Sequence, residues 1–167
     1  MMLWFSLFHR EVENVPKKIL VGVDMSKLGE DVTFYGLSLA FRLDVDVTFV
    51  HVLPHPSLWK GYDPWIPRTE IDHQIKEIAQ KKLRYYLKKA EEKDPLLKDK
   101  EREVIILEGS PAETIIDYAR RNNFNLIIVG SRGHGTIERM VVGSTAANVA
   151  RYSHCSVLIR RVGEDIL

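Results

Sequence analysis

Residues 125–145 read NLIIVGSRGHGTIERMVVGST. A nearly continuous apolar run, Asn125 to Gly130, passes into a glycine-punctuated segment over residues 131–142. Gly143-Ser144-Thr145 follows, opening a helical pattern from Ser144 to Tyr152. An apolar run this short, bounded by turn residues, predicts a strand buried on both faces, as in parallel sheets. Glycine lets the backbone approach a ligand closely and adopt positive φ. Successive free N–H groups then form an anion-binding nest, and a helix start adds unpaired N–H groups and the positive end of its dipole. Arg132 supplies a cationic fork for phosphate, and Ser144 and Thr145 supply hydroxyl donors. On these residues alone a plain strand-to-helix connection capped by Ser144 stays open beside phosphate binding.

The same alternation extends upstream. Lys18 to Asp24 (KILVGVD) predicts a buried parallel strand, and Val32, Tyr35, Leu39 and Leu43 fall at helical spacing. Val45 to Leu53 (VDVTFVHVL) is a second strand, rich in β-branched residues. Pro54 to Arg68 holds four prolines and a glycine and reads as a loop. Thr69 with Asp72 resembles a variant capping box. After it, Ile71, Ile75, Ala79, Leu83, Tyr86 and Ala90 mark an apolar helix face, opposed by Lys76, Lys81, Lys82, Lys88 and Lys89. Asp94-Pro95 ends that helix. Glu103 to Leu107 predicts a third strand. Ser110-Pro111-Ala112-Glu113 predicts a helix start, with Ser110 as N-cap, Pro111 at the first helical position and Glu113 closing the box. Ala112, Ile115, Ile116 and Ala119 form that helix's buried face. Cys155 to Arg160 is the closing strand. Strands and helices alternating in this way predict one α/β domain, a parallel sheet between two helical layers with right-handed crossovers. Residues 1–15 read as an N-terminal arm, 16–163 as the domain and 164–167 as a tail.

Composition narrows the function. The chain has 167 residues, 45% hydrophobic and 28% charged, which fits a soluble globular protein with a core of its own. With 24 Lys+Arg against 23 Asp+Glu, the formal charge is +1, so no chain-wide basic field points to nucleic acid. One cysteine, Cys155, excludes an internal disulfide framework and fits a reducing, cytoplasmic setting. Leu3, Trp4, Phe5, Leu7 and Phe8 form an apolar run too short for a membrane span. It reads as an arm packed on the body or on a second subunit. No Gly-x-x-x-x-Gly-Lys-Ser/Thr occurs, and no Gly-x-Gly-x-x-Gly follows the first strand, which removes the P-loop and dinucleotide-binding readings. His9, His51, His55, His73, His134 and His154 show no metal-binding spacing, so no metal site is expected. His51 reads as a satisfied structural histidine. No catalytic residue is assigned: His134 and Glu138 lie in the glycine segment, but their spacing marks neither as a base.

In open parallel sheets, ligands bind beyond the carboxyl ends of the strands, where strand order reverses. The glycine segment stands at such an end. Its pattern, Gly130-x-x-Gly133, nine residues, then Gly143-Ser144, resembles the signature of ATP-binding members of the universal stress protein family. Asp24 closing the first strand, the His51-Val52 pair and Ser156-Val157-Leu158-Ile159 are similar to that family too, and the resemblance runs over residues 17–161. It implies a Rossmann-like, adenine nucleotide alpha hydrolase-like sandwich whose five-stranded parallel sheet has the order 3-2-1-4-5, with Asp24 and Gly130 at the switch point. It also implies that Val23, Asp24 and Val52 hold adenine and ribose. Gly130, Arg132, Gly133, Gly143, Ser144 and Thr145 would hold ribose and phosphates. Helix capping by Asp24 and a core role for Val52 remain equal alternatives. The implied ligand is ATP, or AMP or ADP, with Mg2+ bound mostly through phosphates and water. The implied assembly is a homodimer joined through the last strand, where Val157, Leu158 and Ile159 present an apolar edge. Ser156 stands where the family often has proline. The function implied is a nucleotide-dependent stress-response module with an unidentified protein partner. A slow ATPase is one alternative. Another is a nucleotide-free interaction protein that binds through its arm and the Trp59–Trp65 loop.

Overall fold

Ile19, Leu20 and Val21 are fully buried, and their alternation generates both halves of the core. The computed structural model describes residues 16–54, 68–131 and 142–161. They form β1 (Lys18–Gly22), α1 (Lys27–Leu43), β2 (Asp46–Leu53), α2 (Arg68–Lys93), a 3-10 turn (Pro95–Asp99), β3 (Glu103–Glu108), α3 (Pro111–Arg121), β4 (Leu126–Gly130), α4 (Ser144–Tyr152) and β5 (Ser156–Arg160). The sheet order is β3-β2-β1-β4-β5 and every pairing is parallel. This is the order that the family resemblance implies.

Side chains alternate across a strand. Ile19 and Val21 therefore join Phe49 and Ile128 on one face, under Val32, Leu37 and Ala40 of α1 and Leu83, Tyr86 and Leu87 of α2. Leu20 joins Val50, Ile127 and Val129 on the other, under Ala112, Ile115, Ile116 and Ala119 of α3 and Ala146 and Val149 of α4. The chain builds outward from β1 to β2 and β3. It then crosses back through α3 to place β4 on the other side of β1. That reversal opens a gap between the carboxyl ends of β1 and β4. The α1 helix lies very close to the sheet: a Cβ on Gly36 would sit 2.7 Å from a Val21 methyl.

Local chemistry departs from the sequence reading at several ends. β1 stops at Gly22, so Val23 and Asp24 lie beyond the ladder. α2 starts at Arg68, which puts Thr69 inside the helix rather than at its cap. Ser110 has extended dihedrals at the N-cap of α3, with Pro111 following, but its side chain makes no capping bond, so no reciprocal box with Glu113 forms. The turn at Pro95–Asp99 has no counterpart in the sequence reading. Asp94 accepts the Leu96 N–H at 3.1 Å and the turn buries Leu97 completely. The N-terminal arm, the Trp59–Trp65 loop and the tail at 164–167 lie outside the described residues. Among those that are described, no helix is long and apolar enough to cross a membrane.

Phe49 is fully buried in β2. Truncation to alanine is expected to cost about 3–5 kcal/mol, read as a lower denaturant midpoint in an equilibrium unfolding curve.

Candidate functional site

A cavity of about 660 Å³ lies over the carboxyl ends of β1, β2 and β4. Seven of the residues singled out in the sequence line it: Val23, Asp24, Val52, Gly130, Gly143, Ser144 and Thr145. Arg132 and Gly133 lie outside the described residues, as do His134 and Glu138. Met25, His51, Pro54, Pro111, Ile115 and Ala146 also line the cavity, though the sequence reading assigned none of them to the site. Met25 and Pro54 follow strand ends, so the strand-end rule reaches them. Pro111 and Ile115 arrive only because Gly109, at φ +139°, turns the chain after β3 while its N–H bonds to Leu53 C=O at 2.9 Å.

Asp24 does not cap α1. The N-cap is Ser26, whose Oγ accepts the Gly29 N–H at 3.4 Å and donates to Asp24 Oδ1 at 2.6 Å. Asp24 Oδ1 also accepts the Ser26 N–H at 3.3 Å. The carboxylate thus holds the cap in place. Its second oxygen, Oδ2, is buried and has no hydrogen-bond partner among the described residues. A buried acceptor left unpaired is unfavourable, so this oxygen fits a ligand hydroxyl or amino group. Gly29 is required by close approach: a Cβ there would lie 2.0 Å from the Asp24 carbonyl oxygen.

Tyr86, on α2, donates its hydroxyl to Ser26 C=O at 2.8 Å and so braces the same junction. Burial pushes the Tyr86 phenol above its ordinary pKa, and the Asp24 and Glu30 carboxylates add to the effect. Val23 is fixed through both backbone groups. Its N–H bonds to Val50 C=O at 2.8 Å, and its C=O accepts from His51 Nδ1 at 2.8 Å. His51 is thus the satisfied structural histidine that its place in a strand suggested. Val52 is 7% exposed, part of the core and of the cavity wall together.

The opposite wall is the start of α4. Gly143, not Ser144, is the N-cap, with φ −61° and ψ 155° and no side-chain cap bond. Ala147 N–H is bonded to Gly143 C=O at 2.9 Å. The N–H groups of Ser144, Thr145 and Ala146 therefore precede the helical ladder and have no partner within it. Both ends of the glycine segment are pinned: Ser131 N–H bonds to Arg160 C=O at 2.7 Å, and Gly143 N–H to Ser131 C=O at 2.8 Å. Gly130 is small for packing. A Cβ there would meet Leu28 and Val32 of α1 at 3.1–3.3 Å. The cavity lining therefore combines the Asp24 carboxylate with the residues that open α4, whose first amides precede the helical ladder. Among the described residues no group of His, Cys, Asp or Glu is placed to hold a metal ion.

A second hollow of about 620 Å³ lies at the amino ends of β2 and β3. Much of its charge is already paired: Arg102 with Glu91, Lys100 with Asp44, and Glu103 with the Thr48 hydroxyl. It offers no comparable set of open donors.

A parallel sheet in this order, with its cavity at the β1/β4 reversal, defines a Rossmann-like α/β protein. Residues 16–161 match the model of the Universal stress protein family, and the chain belongs to that family. It is 28% identical over 158 residues to a universal stress protein of Methanocaldococcus jannaschii, covering 90% of this chain and 85% of that one. Identity to universal stress protein YxiE of Bacillus subtilis is 30% over 148 residues, covering 86% and 98%. The fold matches universal stress protein UspA from Lactobacillus plantarum with a TM-score of 0.63 at 23% identity, over 87% of this chain and 97% of that one. It also matches a universal stress protein in complex with cAMP (TM-score 0.58, 20% identity, 89% and 98% covered). A third match is the Archaeoglobus fulgidus protein in complex with dAMP (0.55, 22%, 85% and 95%).

Two variants test the junction under the cavity. Gly29→Ala is expected to lower the melting temperature, because its Cβ forces Asp24 or α1 to move, at a cost of about 1–3 kcal/mol. Tyr86→Phe is expected to cost about 1 kcal/mol in denaturant unfolding. The raised Tyr86 pKa also carries a sign. The unfolded phenol ionises near its ordinary value of 10.0 and the folded one above it. Its stabilising contribution is therefore complete below that pH and is lost as pH rises through the folded value. Tyr86→Phe should flatten the alkaline fall in stability. An unchanged fall would show that Tyr86 does not contribute to it.

Proposed function

We propose that this cavity binds an adenine nucleotide, ATP in the first instance, and that the chain works as a nucleotide-dependent module of the stress response. The observation that carries the reading is the mixed polarity of the cavity lining, which joins the Asp24 carboxylate to the first residues of α4. Asp24 Oδ2 is an unsatisfied acceptor suited to the hydroxyl and amino groups of a nucleoside. The open amides at the start of α4 suit an anion. The cavity's volume, about 660 Å³, falls within the range of small-molecule sites.

In this reading Val23, Asp24 and Val52 take adenine and ribose. Gly130, Gly143, Ser144 and Thr145, with Arg132 and Gly133, take ribose and phosphates. Mg2+ would be held through the phosphates and water. The cAMP and dAMP complexes of proteins with this fold support an adenine ligand. AMP and ADP would compete for the same place. The protein-level part of the reading is a homodimer formed along β5, an edge strand whose Val157, Leu158 and Ile159 are only partly buried. Such an edge is stabilised by pairing or covering. A cytoplasmic setting and a downstream protein partner complete it.

Titration calorimetry with Mg-ATP tests the reading, with Ser144→Asp as the informative variant. A carboxylate at the first turn of α4 favours the helix dipole but repels phosphate. This variant is expected to melt no lower than the parent and to bind ATP about tenfold or more weakly. In the parent, ATP at a hundredfold excess over its dissociation constant should add about 2.7 kcal/mol of stability. No melting shift at millimolar ATP, or undiminished binding by Ser144→Asp, would reject the assignment.

A further inference from the structure

The outer face of α2 carries charge that the fold does not use. From Ile78 to Ala90 the helix holds five cations, Lys81, Lys82, Arg84, Lys88 and Lys89, and no carboxylate, in a chain whose formal charge is only +1. Its inner face, Ala79, Leu83, Tyr86, Leu87 and Ala90, is buried against the sheet and α1. Lys81, Arg84, Tyr85 and Lys88 fall at i, i+3, i+4 and i+7, so they share one outward stripe, and all four are exposed. Lys81, Arg84 and Lys88 make no hydrogen bond or ion pair among the described residues. Ile78, 65% exposed, and Tyr85, 49% exposed, lie beside them.

Of the flanking acids, Glu91 pairs with Arg102 and Glu92 with Lys89, while Glu77 lies 3.9 Å from His73. Glu30 of α1 acts on Lys89, at the edge of the stripe. Like charges at helical neighbour positions weaken a helix. Lys89 is offset by Glu92, and Lys82 by the Tyr85 and Tyr86 rings; Lys81, Arg84 and Lys88 have no such contact among the described residues, which points to a partner for these three.

The chemistry of the face selects among polyanions. Lys82 and Lys89 both lie over the Tyr85 ring, at 5.8 and 5.7 Å, so the ring is a poor platform for stacking a nucleobase. Among the described residues of α2, Ile78 and Tyr85 are the large apolar side chains left exposed. That is too little for a bilayer interface. What remains is a straight row of cations about 10 Å long, the length of two helical turns. Carboxylates on a second helix repeat at the same spacing. We propose that the outer face of α2 docks an acidic helix of a protein partner. Carboxylates one helical turn apart would meet Lys81, Arg84 and Lys88, and one apolar side chain would lie against Ile78 and Tyr85.

Two synthetic alanine-based peptides of identical composition test this by fluorescence anisotropy with the full chain. One places glutamates at i, i+4 and i+7 beside a leucine; the other scatters them around the helix. The ordered peptide is expected to bind about tenfold or more tightly than the scattered one, with affinity falling as salt rises. Lys81→Glu, Arg84→Glu and Lys88→Glu together should abolish that preference. A matching peptide with lysines for glutamates should then bind the reversed face. The milder pair Arg84→Gln and Lys88→Gln, read by the same assay, covers the case in which the triple variant fails to fold. Equal affinity for the two peptides, binding unaffected by either set of substitutions, or tighter binding of polyuridine RNA or phosphatidylserine vesicles than of the ordered peptide would each overturn the proposal.

Discussion

The central strand bears the constraint on which the rest depends. β1 pairs in parallel with β2 on one side and β4 on the other, and its three central residues have no exposed surface. A strand with neighbours on both edges and helices on both faces must be apolar at successive positions. Once KILVG is placed there, the chain that leaves its carboxyl end in one direction and returns on the other side has to leave a gap above it. The cavity is that gap. It owes its place to strand order, and its walls are whatever the chain presents in the first residues after each strand.

Those first residues are nearly all fixed through their backbones. Val23 is held by Val50 and His51, Ser131 by Arg160 and Gly143, and Gly109 by Leu53. A binding surface made this way is rigid before any ligand arrives, which reduces the ordering cost of association. Two glycines around the site serve packing. Gly29 lets the first turn of α1 rest on the Asp24 carbonyl, and Gly130 lets α1 rest on β4. The polarity of the cavity follows from the same arrangement. A part-buried carboxylate supports the cap of one helix, while another helix begins with amides that have no partner in its own ladder.

The two faces of α2 have separate tasks. Inward, Tyr86 joins the core and reaches the Ser26 carbonyl next to Asp24. Outward, at the preceding position in the chain, Tyr85 stands exposed among lysines. A helix whose inner surface touches the junction beneath the cavity and whose outer surface is cationic puts a candidate site and a candidate docking surface on one element. Whether a signal passes between them depends on two states of that junction having different energies.

The sequence alone determined the order and type of the regular elements, since hydrophobic period is written directly into residues such as Ala112, Ile115, Ile116 and Ala119 or the run LIIVG. It also marked seven residues that come to line one cavity, because strand ends and helix starts are local features. Helix ends were less legible: Ser26, not Asp24, caps α1, and Gly143, not Ser144, caps α4. Capping depends on dihedral angles and on which side chain reaches a free amide, and several residues in each stretch are chemically able to do it. Only the folded chain decided that Pro111 and Ile115 face the same cavity as Asp24, and that Tyr86 braces Ser26 from 60 residues away. Contacts at such separations are set by how sheet and helices pack in three dimensions, and no local pattern encodes which distant side chain fills a given space.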